Sequence, residues 1–349
     1  MTVLIVVISL SILILVHELG HFLAARFFGV RVEEFGIGFP PRLISKKIGK
    51  TVYSLNLLPF GGFVKIFGEN FEDEEKISPD SFVFQPVWRR AIIVLAGIFM
   101  NIFLGWLILS FVFMSGMPEH LAIAEIAPDS PAQAVGLESG DIIIKASFKE
   151  TVLSDPIKSR ELIELVNKAA GDNILFTIRR GDKIFEVEIQ SRSNPPFGQG
   201  PVGIALVEMG FPPQGFFGGI VEGLKATFNV LKNVSFGFIA FLGSVFVDKS
   251  AFEAVAGPVG IFSIAAKASN LGVVYFLQFI AIISLNLAVL NLIPFPALDG
   301  GRFLLLLVEK IKGSPVSLKF QIVVNSFGFL ILIIFMILVT IRDISRLFN

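Results

Sequence analysis

Two histidines and a glutamate lie close together in the first apolar stretch of the chain, where a lipid-facing helix does not need them. His17 and His21 flank Glu18 in the pattern H-E-x-x-H. On a helix, positions i and i+4 lie on one face, so both imidazoles can reach one metal ion while Glu18 stays beside them as a base. Chance is the alternative, because the pattern fixes only three positions. A charged group at membrane depth costs roughly 2.5 to 3.5 kcal/mol, which favours a shared zinc ion as the partner of all three side chains.

The composition is typical of an integral membrane protein. Hydrophobic residues make up 54% of the chain and charged residues 17%, and the mean hydropathy is +0.77, which excludes a mainly soluble globule. The first stretch lacks a basic leader and a small-residue cleavage site, so we expect it to remain as a span. The chain has no cysteine, so a zinc site must use His, Asp or Glu as ligands. No basic stripe or nucleic-acid motif indicates a nucleic-acid partner.

Four apolar stretches are long enough to span a bilayer. They cover residues 2–25, 91–115, 273–293 and 321–341. The loop between the first two stretches is rich in Lys and Arg, and so is the segment from Arg302 to Lys319, which predicts that both are cytoplasmic. Both chain termini then face the outside. The second span then ends outside and the third begins outside, so a fifth apolar stretch between them cannot cross the membrane. Residues 215–247 are therefore predicted to form an amphipathic or re-entrant helix.

Residues 118–207, between the second and third spans, have the pattern of a soluble domain. Strands are predicted at 122–126, 141–146, 174–179 and 184–190, and a helix at 156–170. The turns Ala127-Pro128-Asp129-Ser130-Pro131-Ala132, Gly136-Leu137 and Gly140-Asp141 resemble those of a bacterial PDZ domain. Such domains bind extended peptides by strand addition beside a helix. A generic β-rich spacer is the alternative, since turn-rich strand patterns are common.

Asp299 is the candidate for a third zinc ligand, because a hydrolytic zinc site wants three protein ligands and one open position. It lies in the segment Asn291–Gly301, where two prolines and two glycines interrupt the helix at the cytoplasmic end of the third span. Broken backbone at this depth is tolerated only where protein or a wet cavity covers it. A zinc ion with the carboxylates of Asp299 and Glu18 sums to zero charge, which lowers the cost of burial. The alternative role for Asp299 is that of an N-cap for the following helix.

Together these motifs resemble those of the bacterial site-2 proteases, which are intramembrane zinc metalloproteases. His17-Glu18-Leu19-Gly20-His21 is similar to the zinc helix of the family, and Leu298-Asp299-Gly300-Gly301 to its third-ligand motif. Pro59-Phe60-Gly61-Gly62-Phe63-Val64-Lys65 resembles its membrane-dipping β-loop, and Gly257-Pro258-Val259-Gly260-Ile261 a segment before its third span. The resemblance covers nearly the whole chain. It departs at Ala96-Gly97-Ile98, where family members commonly have proline after the glycine, and in having room for one PDZ domain where some members have two.

The resemblance implies a role for each of these residues. Glu18 would be the catalytic base that takes a proton from the attacking water, and one zinc ion per chain would polarise the scissile carbonyl. The β-loop residues Gly61, Gly62 and Phe63 would bind substrate, since residues 51–67 could pair with an unwound substrate segment. Asn291 would donate a hydrogen bond to the extended substrate or to the oxyanion. A plain contact between helices is an equally good explanation of Asn291.

The expected fold is an α-helical polytopic membrane protein with about four transmembrane helices, an inserted β-loop and one extracytoplasmic α+β PDZ domain. The predicted parts are 1–117 and 272–349 as the two halves of the protease core, 118–207 as the PDZ domain, and 208–271 as a membrane-surface region. The expected location is a bacterial inner membrane, with the active site toward the cytoplasm.

The expected substrates are transmembrane proteins with locally unwound helices, such as anti-sigma factors or signal peptide remnants, and the PDZ domain is a second possible peptide-binding site. A PDZ-bearing scaffold with a structural or inactive metal site is the alternative function, although it would not need Glu18. A metal transporter would need more ionisable residues in its spans.

Overall fold

The computed structural model describes residues 2–69, 78–181, 183–244 and 255–348. The described chain forms two compact units. The helical unit comprises residues up to Ser110, Val221–Ser269 and Tyr275 onward, and the sheet unit comprises Phe111–Ile220 and Asn270–Val274. The last three residues of the predicted 215–247 helix, and Asp182 in the predicted hairpin turn, lie outside the described residues.

Nine helices are found in the described part of the chain. They are α1 (Thr2–Phe27), α2 (Val87–Ser115), α3 (Pro131–Ala134), α4 (Ser159–Lys168), α5 (Phe216–Ser244), α6 (Pro258–Leu271), α7 (Val273–Leu292), α8 (Asp299–Lys312) and α9 (Leu318–Phe348). Five of these nine, namely α1, α2, α5, α7 and α9, are long and apolar enough to cross a membrane. The four predicted spans correspond to α1, α2, α7 and α9. Helix α5 is the fifth candidate, and it is continuous through Ser244, so its assignment to the membrane surface stays a prediction.

A small β-sheet follows α1 in the helical unit. Strand β1 (Val32–Ile48) pairs with β2 (Thr51–Ile66), and both strands bend. The first half of β1 therefore lies between the two halves of β2: Gly36 is opposite Phe63 on one side and opposite Ser54 on the other. The predicted β-loop is thus a folded sheet rather than a simple hairpin, and its last segment, Gly61–Ile66, lies beside α1.

Helices α1, α2 and α7 approach one another closely where glycines remove side chains. A Cβ on Gly20 of α1 would lie 2.8 Å from Met100 of α2, and a Cβ on Gly105 of α2 would lie 2.7 Å from Leu285 of α7. Ser284 of α7 donates a hydrogen bond of 2.8 Å to the carbonyl of Asn101. Small residues let membrane helices pack by van der Waals contact, which is the main source of their association in lipid. These contacts fix α2 between the two helices that lead to the candidate metal ligands.

The motif Gly257–Ile261 begins α6, and its glycines are explained by a contact with α9. Asp343 of α9 accepts a hydrogen bond of 2.7 Å from the amide of Gly260. A Cβ on Gly257 would lie 2.6 Å from Val339 and 2.7 Å from the Asp343 carboxylate. The residue before a helix normally caps it with its own side chain. Here the residue before the helix, Gly257, has no side chain and no room for one. The Asp343 carboxylate of α9 therefore caps α6 in its place.

The sheet unit contains a six-stranded sheet. Its strands are β3 (Met117–Ile126), β4 (Ile142–Phe148), β5 (Thr151–Ser154), β6 (Asn173–Arg180), β7 (Lys183–Gln190) and β8 (Ile204–Phe211), in the order β7-β6-β4-β3-β8 with β5 beside β4. The predicted strands fall within or close to β3, β4, β6 and β7, while β5, β8 and the short α3 were not predicted. Helix α4 begins at Ser159, three residues later than Pro156. Its apolar face, with Leu162 and Leu165, packs in a core with Ile143 and Phe176.

Arg180 holds the turn between α3 and β4 of the sheet unit. Its guanidinium donates two hydrogen bonds of 2.7 Å to Asp141, which is 1% exposed, and one to the carbonyl of Gly136. Hydrogen bonding to Asp141 raises the pKa of Arg180. The guanidinium of Arg180 therefore joins the Gly136 and Asp141 positions of the PDZ-like motif, by a hydrogen bond to the first and an ion pair with the second.

Candidate metal centre

His17 and His21 lie one turn apart on α1, as the spacing predicts, and both are buried. Their exposed fractions are 7% and 8%. The two Nε2 atoms are 3.1 Å apart, and the rings meet edge to face. Because the two Nε2 atoms are this close, a single metal ion beside them can contact both imidazoles.

Asp299 reaches the same volume from the other end of the chain. Its Oδ2 is 3.0 Å from His17 Nε2 and 3.3 Å from His21 Nε2. Helix α8 begins at Asp299, and its N-cap position is Leu298. The carboxylate therefore faces the imidazoles rather than the end of its own helix, and the N-cap alternative does not describe its contacts.

The two glycines after Asp299 let the interrupted backbone pack against the first turn of α8. A Cβ on Gly300 would collide with the carbonyls of Leu292 and Ile293, and a Cβ on Gly301 with the carbonyl of Phe295. Ala297 has φ of 73°, which L-residues with a side chain rarely adopt. Its amide donates to Asn325 of α9 at 3.2 Å. The prolines, glycines and strained alanine thus bring the Asp299 carboxylate to the end of a bent segment that α9 supports.

The donor atoms of the three residues fit a metal ion. His21 Nδ1 is 2.8 Å from the carbonyl oxygen of Ile93; because a carbonyl only accepts, Nδ1 carries the proton and Nε2 presents a lone pair. That lone pair and Asp299 Oδ2 face one another, and apart from the two imidazoles Oδ2 is buried without a hydrogen-bond partner among the described residues. Converging lone pairs need a cation. Their separations of 3.0 to 3.3 Å are close to the roughly 3.3 Å between tetrahedral ligands about 2.0 to 2.1 Å from zinc. Within the described residues this is the one His, Asp and Glu group of three with metal-ligand geometry.

Asn101 on α2 is a functional candidate that the sequence motifs did not indicate. It is fully buried, and its amide group lies 3.3 Å from His17 Nδ1. With Oδ1 turned toward the ring, which the symmetric shape of an amide permits, Asn101 accepts the Nδ1 proton and directs the His17 Nε2 lone pair at the metal position. The Oδ1 atom otherwise has no partner. Asn101 thus has the position of an outer-shell residue that orients a ligand.

Gly97, also on α2, makes room for the two imidazoles. A Cβ at this position would collide with His21 Nε2 and lie 2.7 Å from His17 Cε1. The family's usual proline follows this glycine, and here Ile98 takes its place; α2 continues as one helix from Val87 to Ser115. The glycine, rather than the residue after it, is therefore what the metal centre requires locally.

Glu18 lies on α1 between the two histidines and turns toward the β-sheet. Its Oε2 accepts a hydrogen bond of 3.0 Å from the amide of Val64 in β2. It is not one of the three clustered donor residues, so it remains free of the ligand set. A carboxylate beside a metal position, held by a single backbone donor, has the placement that a general base needs.

The predicted substrate-binding residues of the β-loop lie next to α1, one turn before His17. Gly61 donates its amide to Ser11 at 3.2 Å, and a Cβ on Gly61 would lie 2.9 Å from Ile14. A Cβ on Gly62 would lie 2.6 Å from Leu15. Phe63 pairs with Gly36 of β1, and its ring covers that glycine. The glycines are thus required for close packing of the sheet on α1, and their binding role stays a prediction.

Asn291 lies near the end of α7 and is partly exposed. Among the described residues its side chain has no hydrogen-bond partner, in contrast to Asn286, which bonds the carbonyl of Ile282 in its own helix. The contact between helices that offered an alternative explanation of Asn291 is therefore not found in the described structure.

Comparison with known proteins gives matches over nearly the whole chain. The model of peptidase family M50 matches residues 5–335. A Clostridium perfringens protein with a zinc metalloprotease name is 37% identical over 99% of this chain and 98% of its own. The membrane metalloprotease ARASP of Arabidopsis thaliana is 31% identical over 96% of this chain and 76% of its own, and the zinc metalloprotease RasP of Shouchella clausii is 28% identical over 97% of each.

Among solved structures, the PDZ domain of an SdrC-like protein from Listeria monocytogenes matches 25% of this chain and 86% of its own, with 25% identity and a TM-score of 0.21. A TM-score this low does not assign the fold of the sheet unit. Its PDZ identity stays a prediction.

Proposed function

We propose that this chain, which belongs to peptidase family M50 and is a zinc metalloprotease, cleaves peptide bonds within membrane-spanning segments of other membrane proteins. The observation that supports this proposal is the position of the ligand set. His17 and His21 lie on α1, a helix apolar and long enough to cross a membrane, and Asp299 follows α7, another such helix. A substrate reaches this site most directly from within the bilayer.

The residues of the site divide the chemistry among them. His17, His21 and Asp299 hold zinc, which when bound supplies a Lewis acid for the scissile carbonyl and acidifies the attacking water. Glu18 takes one proton from that water as its oxygen adds to the carbonyl carbon. It then gives the proton to the amide nitrogen as the C–N bond breaks, so that a new carboxylic acid and a new amine form, and the acid then passes its remaining proton to the amine or to solvent. Asn291, whose amide has no hydrogen-bond partner in the described part of the chain, is assigned here as a donor to the substrate backbone or to the oxyanion.

The β-sheet supplies an edge for an unwound substrate. A helical substrate hides its carbonyls in i to i−4 hydrogen bonds, so it must become extended before attack. Gly61–Ile66 forms the edge of the sheet nearest to α1, and the Val64 amide that holds Glu18 is one of its donors. Addition of a substrate strand would offer Val64 a carbonyl acceptor in place of Glu18. Glu18 would then be released toward the water at the moment the substrate is in position.

The proposal extends to location and regulation. The excess of Lys and Arg in two loops supports an orientation in a bacterial inner membrane with the β-sheet and the metal centre toward the cytoplasm and with the sheet unit and both termini outside. In this arrangement anti-sigma factors and signal peptide remnants are suitable substrates. The sheet unit, as a PDZ domain, would limit access for substrates with bulky outer domains and bind peptide by strand addition beside α4.

Glu18→Gln tests this function. We expect the purified wild-type chain in lipid vesicles to cut single-span reporter proteins that carry helix-breaking residues near the middle of the span. Glu18→Gln should lose at least about a hundredfold in turnover, the range of general-base catalysis, while it keeps its zinc. Glu33→Gln, which changes a carboxylate paired with Lys65 in the same sheet, is the control and should cut normally. Mass spectrometry of the products locates the cut bond.

Two results would contradict the proposal. Undiminished cutting by Glu18→Gln would remove Glu18 from the chemistry. Cuts found only outside the spanning segment would replace intramembrane cleavage by ordinary membrane-surface proteolysis.

A further inference from the structure

Arg302 lies one turn after Asp299 on the same face of α8. Its guanidinium forms an ion pair with Glu69, which follows β2. The Glu69 side chain is 16% exposed and that of Arg302 is 42% exposed. The pair joins the first turn of the helix that carries a metal ligand to the end of the β-sheet.

Glu69 is held on a well-supported turn. The amide of Phe67 donates to the carbonyl of Arg31 at 2.9 Å, and the amide of Phe82 donates to the carbonyl of Phe67 at 2.8 Å. Gly68 has φ of 71°, and a Cβ there would lie 2.8 Å from Ser81. Backbone bonds from two separate segments therefore fix the position from which the Glu69 carboxylate reaches α8.

The same end of β2 also holds the catalytic base. Val64, five residues before Glu69, donates its amide to Glu18 at 3.0 Å. One short segment of chain thus contacts Glu18 directly and reaches the helix of Asp299 through Arg302.

Among the described residues, side-chain packing does not fill the space around the pair. A cavity of about 440 Å³ is lined by Glu69 and Arg302 and, farther along α8, by Glu309 and Arg90 of α2. Side chains that face an open cavity have no partner atoms across it, so packing does not replace a polar contact at its wall. The ion pair therefore connects the sheet to α8 where packing is incomplete.

We propose that Glu69 and Arg302 are a positioning pair that holds the first turn of α8, and with it the Asp299 carboxylate, in register with Glu18. Neither residue touches the reacting atoms, and both act through Asp299. The effect on catalysis rests on the proposed function, whereas the effect on zinc retention does not.

The chain offers a matched control in the second ion pair of α8. Arg90 donates to Glu309 at 3.0 Å, and both side chains are nearly buried, at 10% and 13% exposed. This pair lies three turns beyond Asp299 and joins α8 to the start of α2 rather than to the sheet. Breaking it should destabilise the fold without changing the register of Asp299, because a buried ion that loses its partner is costly wherever it lies.

The experiment uses the full chain in detergent, loaded with zinc, and follows zinc release to EDTA. Arg302→Gln and Glu69→Gln are each expected to speed release about tenfold, as outer-shell substitutions commonly do. On a cleaved reporter, kcat should fall by a similar factor while KM stays within about twofold. The double variant should be no worse than either single one, because both remove the same contact. Arg302→Lys, which keeps the charge, should restore at least part of the retention.

Glu309→Gln should lower the melting temperature and leave zinc release and kcat at wild-type values. Wild-type zinc release in Arg302→Gln and Glu69→Gln would overturn the proposal. Additive losses in the double variant, or equal losses in Glu309→Gln, would also overturn it. If wild-type protein holds zinc but cuts no reporter, the proposed function fails while the zinc-release comparison still decides the positioning role. If the glutamine variants do not fold, the same comparison is made with Glu69→Asp, whose shorter side chain withdraws the carboxylate from Arg302, and wild-type release in this variant overturns the proposal.

Discussion

The sheet unit and the metal centre are built in opposite ways. In the sheet unit, all the paired strands come from one continuous stretch of chain, from β3 to β8: β6 and β7 form a hairpin, and the core joins α4 to the strands on either side of it. In the metal centre, the ligands come from the first helix and from a bend more than two thirds of the way along the chain. The sheet unit can therefore lose one contact and keep its fold, whereas the metal centre depends on several distant segments meeting at one point.

The strongest way to break this contrast is to remove the distant ligand. Asp299→Ala should abolish stoichiometric zinc binding, because two imidazoles without the carboxylate leave a site short of the three protein ligands that zinc holds tightly. Metal analysis of the purified chain measures this. Asp343→Ala, another buried aspartate in the helical unit, is the control and should keep zinc. Full zinc content in Asp299→Ala would show that the ligand is misassigned.

Gly97→Ala should cause the next largest effect. Alanine is a better helix former than glycine by about 1 kcal/mol, so local propensity predicts stabilisation. The added Cβ, however, would occupy the space of the His17 and His21 rings, so we expect most of the zinc to be lost. Gly237→Ala in α5, where a Cβ meets nothing within 4 Å, should retain zinc. Equal zinc contents in the two variants would mean that the helices adjust without loss.

Asn101→Leu probes the orientation of His17 and should have a smaller effect. Loss of an outer-shell partner typically weakens metal affinity 10 to 100 fold. A competition titration with a zinc indicator measures the affinity. Asn286→Leu removes an amide that bonds only its own helix, and its affinity should match that of the wild type. If both variants bind zinc equally well, His17 is oriented without Asn101.

Leu162→Ala tests whether a loss of packing in the sheet unit leaves the metal centre unchanged. Leu162 is fully buried in its core, and such truncations cost about 2 to 5 kcal/mol. Hydrogen exchange of the full chain should therefore show faster exchange in β3 to β8, with zinc content unchanged. Ile163→Ala, at the neighbouring position that is 50% exposed, should exchange normally. Zinc loss in Leu162→Ala would mean that the two regions are energetically coupled.

Local sequence patterns were sufficient for much of the fold. Apolar length predicted α1, α2, α7 and α9, and alternation with turn residues predicted β3, β4, β6 and β7, because these patterns follow from the periodicity of each element. Prediction was weakest where pairing is distant in sequence. Strand β8 pairs with β3 across the whole sheet unit, and β1 lies between two halves of β2, which no local pattern specifies.

The candidate site follows the same division. The sequence by itself determined which chemistry to expect, because H-E-x-x-H places two imidazoles on one helix face with a carboxylate beside them, and the absence of cysteine leaves a carboxylate such as Asp299 to complete the ligand set. Only the tertiary structure decided what orients these groups. The carbonyl of Ile93 and the amide of Val64 are backbone atoms that every residue offers, so no residue type identifies them in a sequence. The roles of Asn101, Gly97 and the Glu69–Arg302 pair depend on how the helices are rotated and packed. That packing is set by contacts between segments that are distant in the chain.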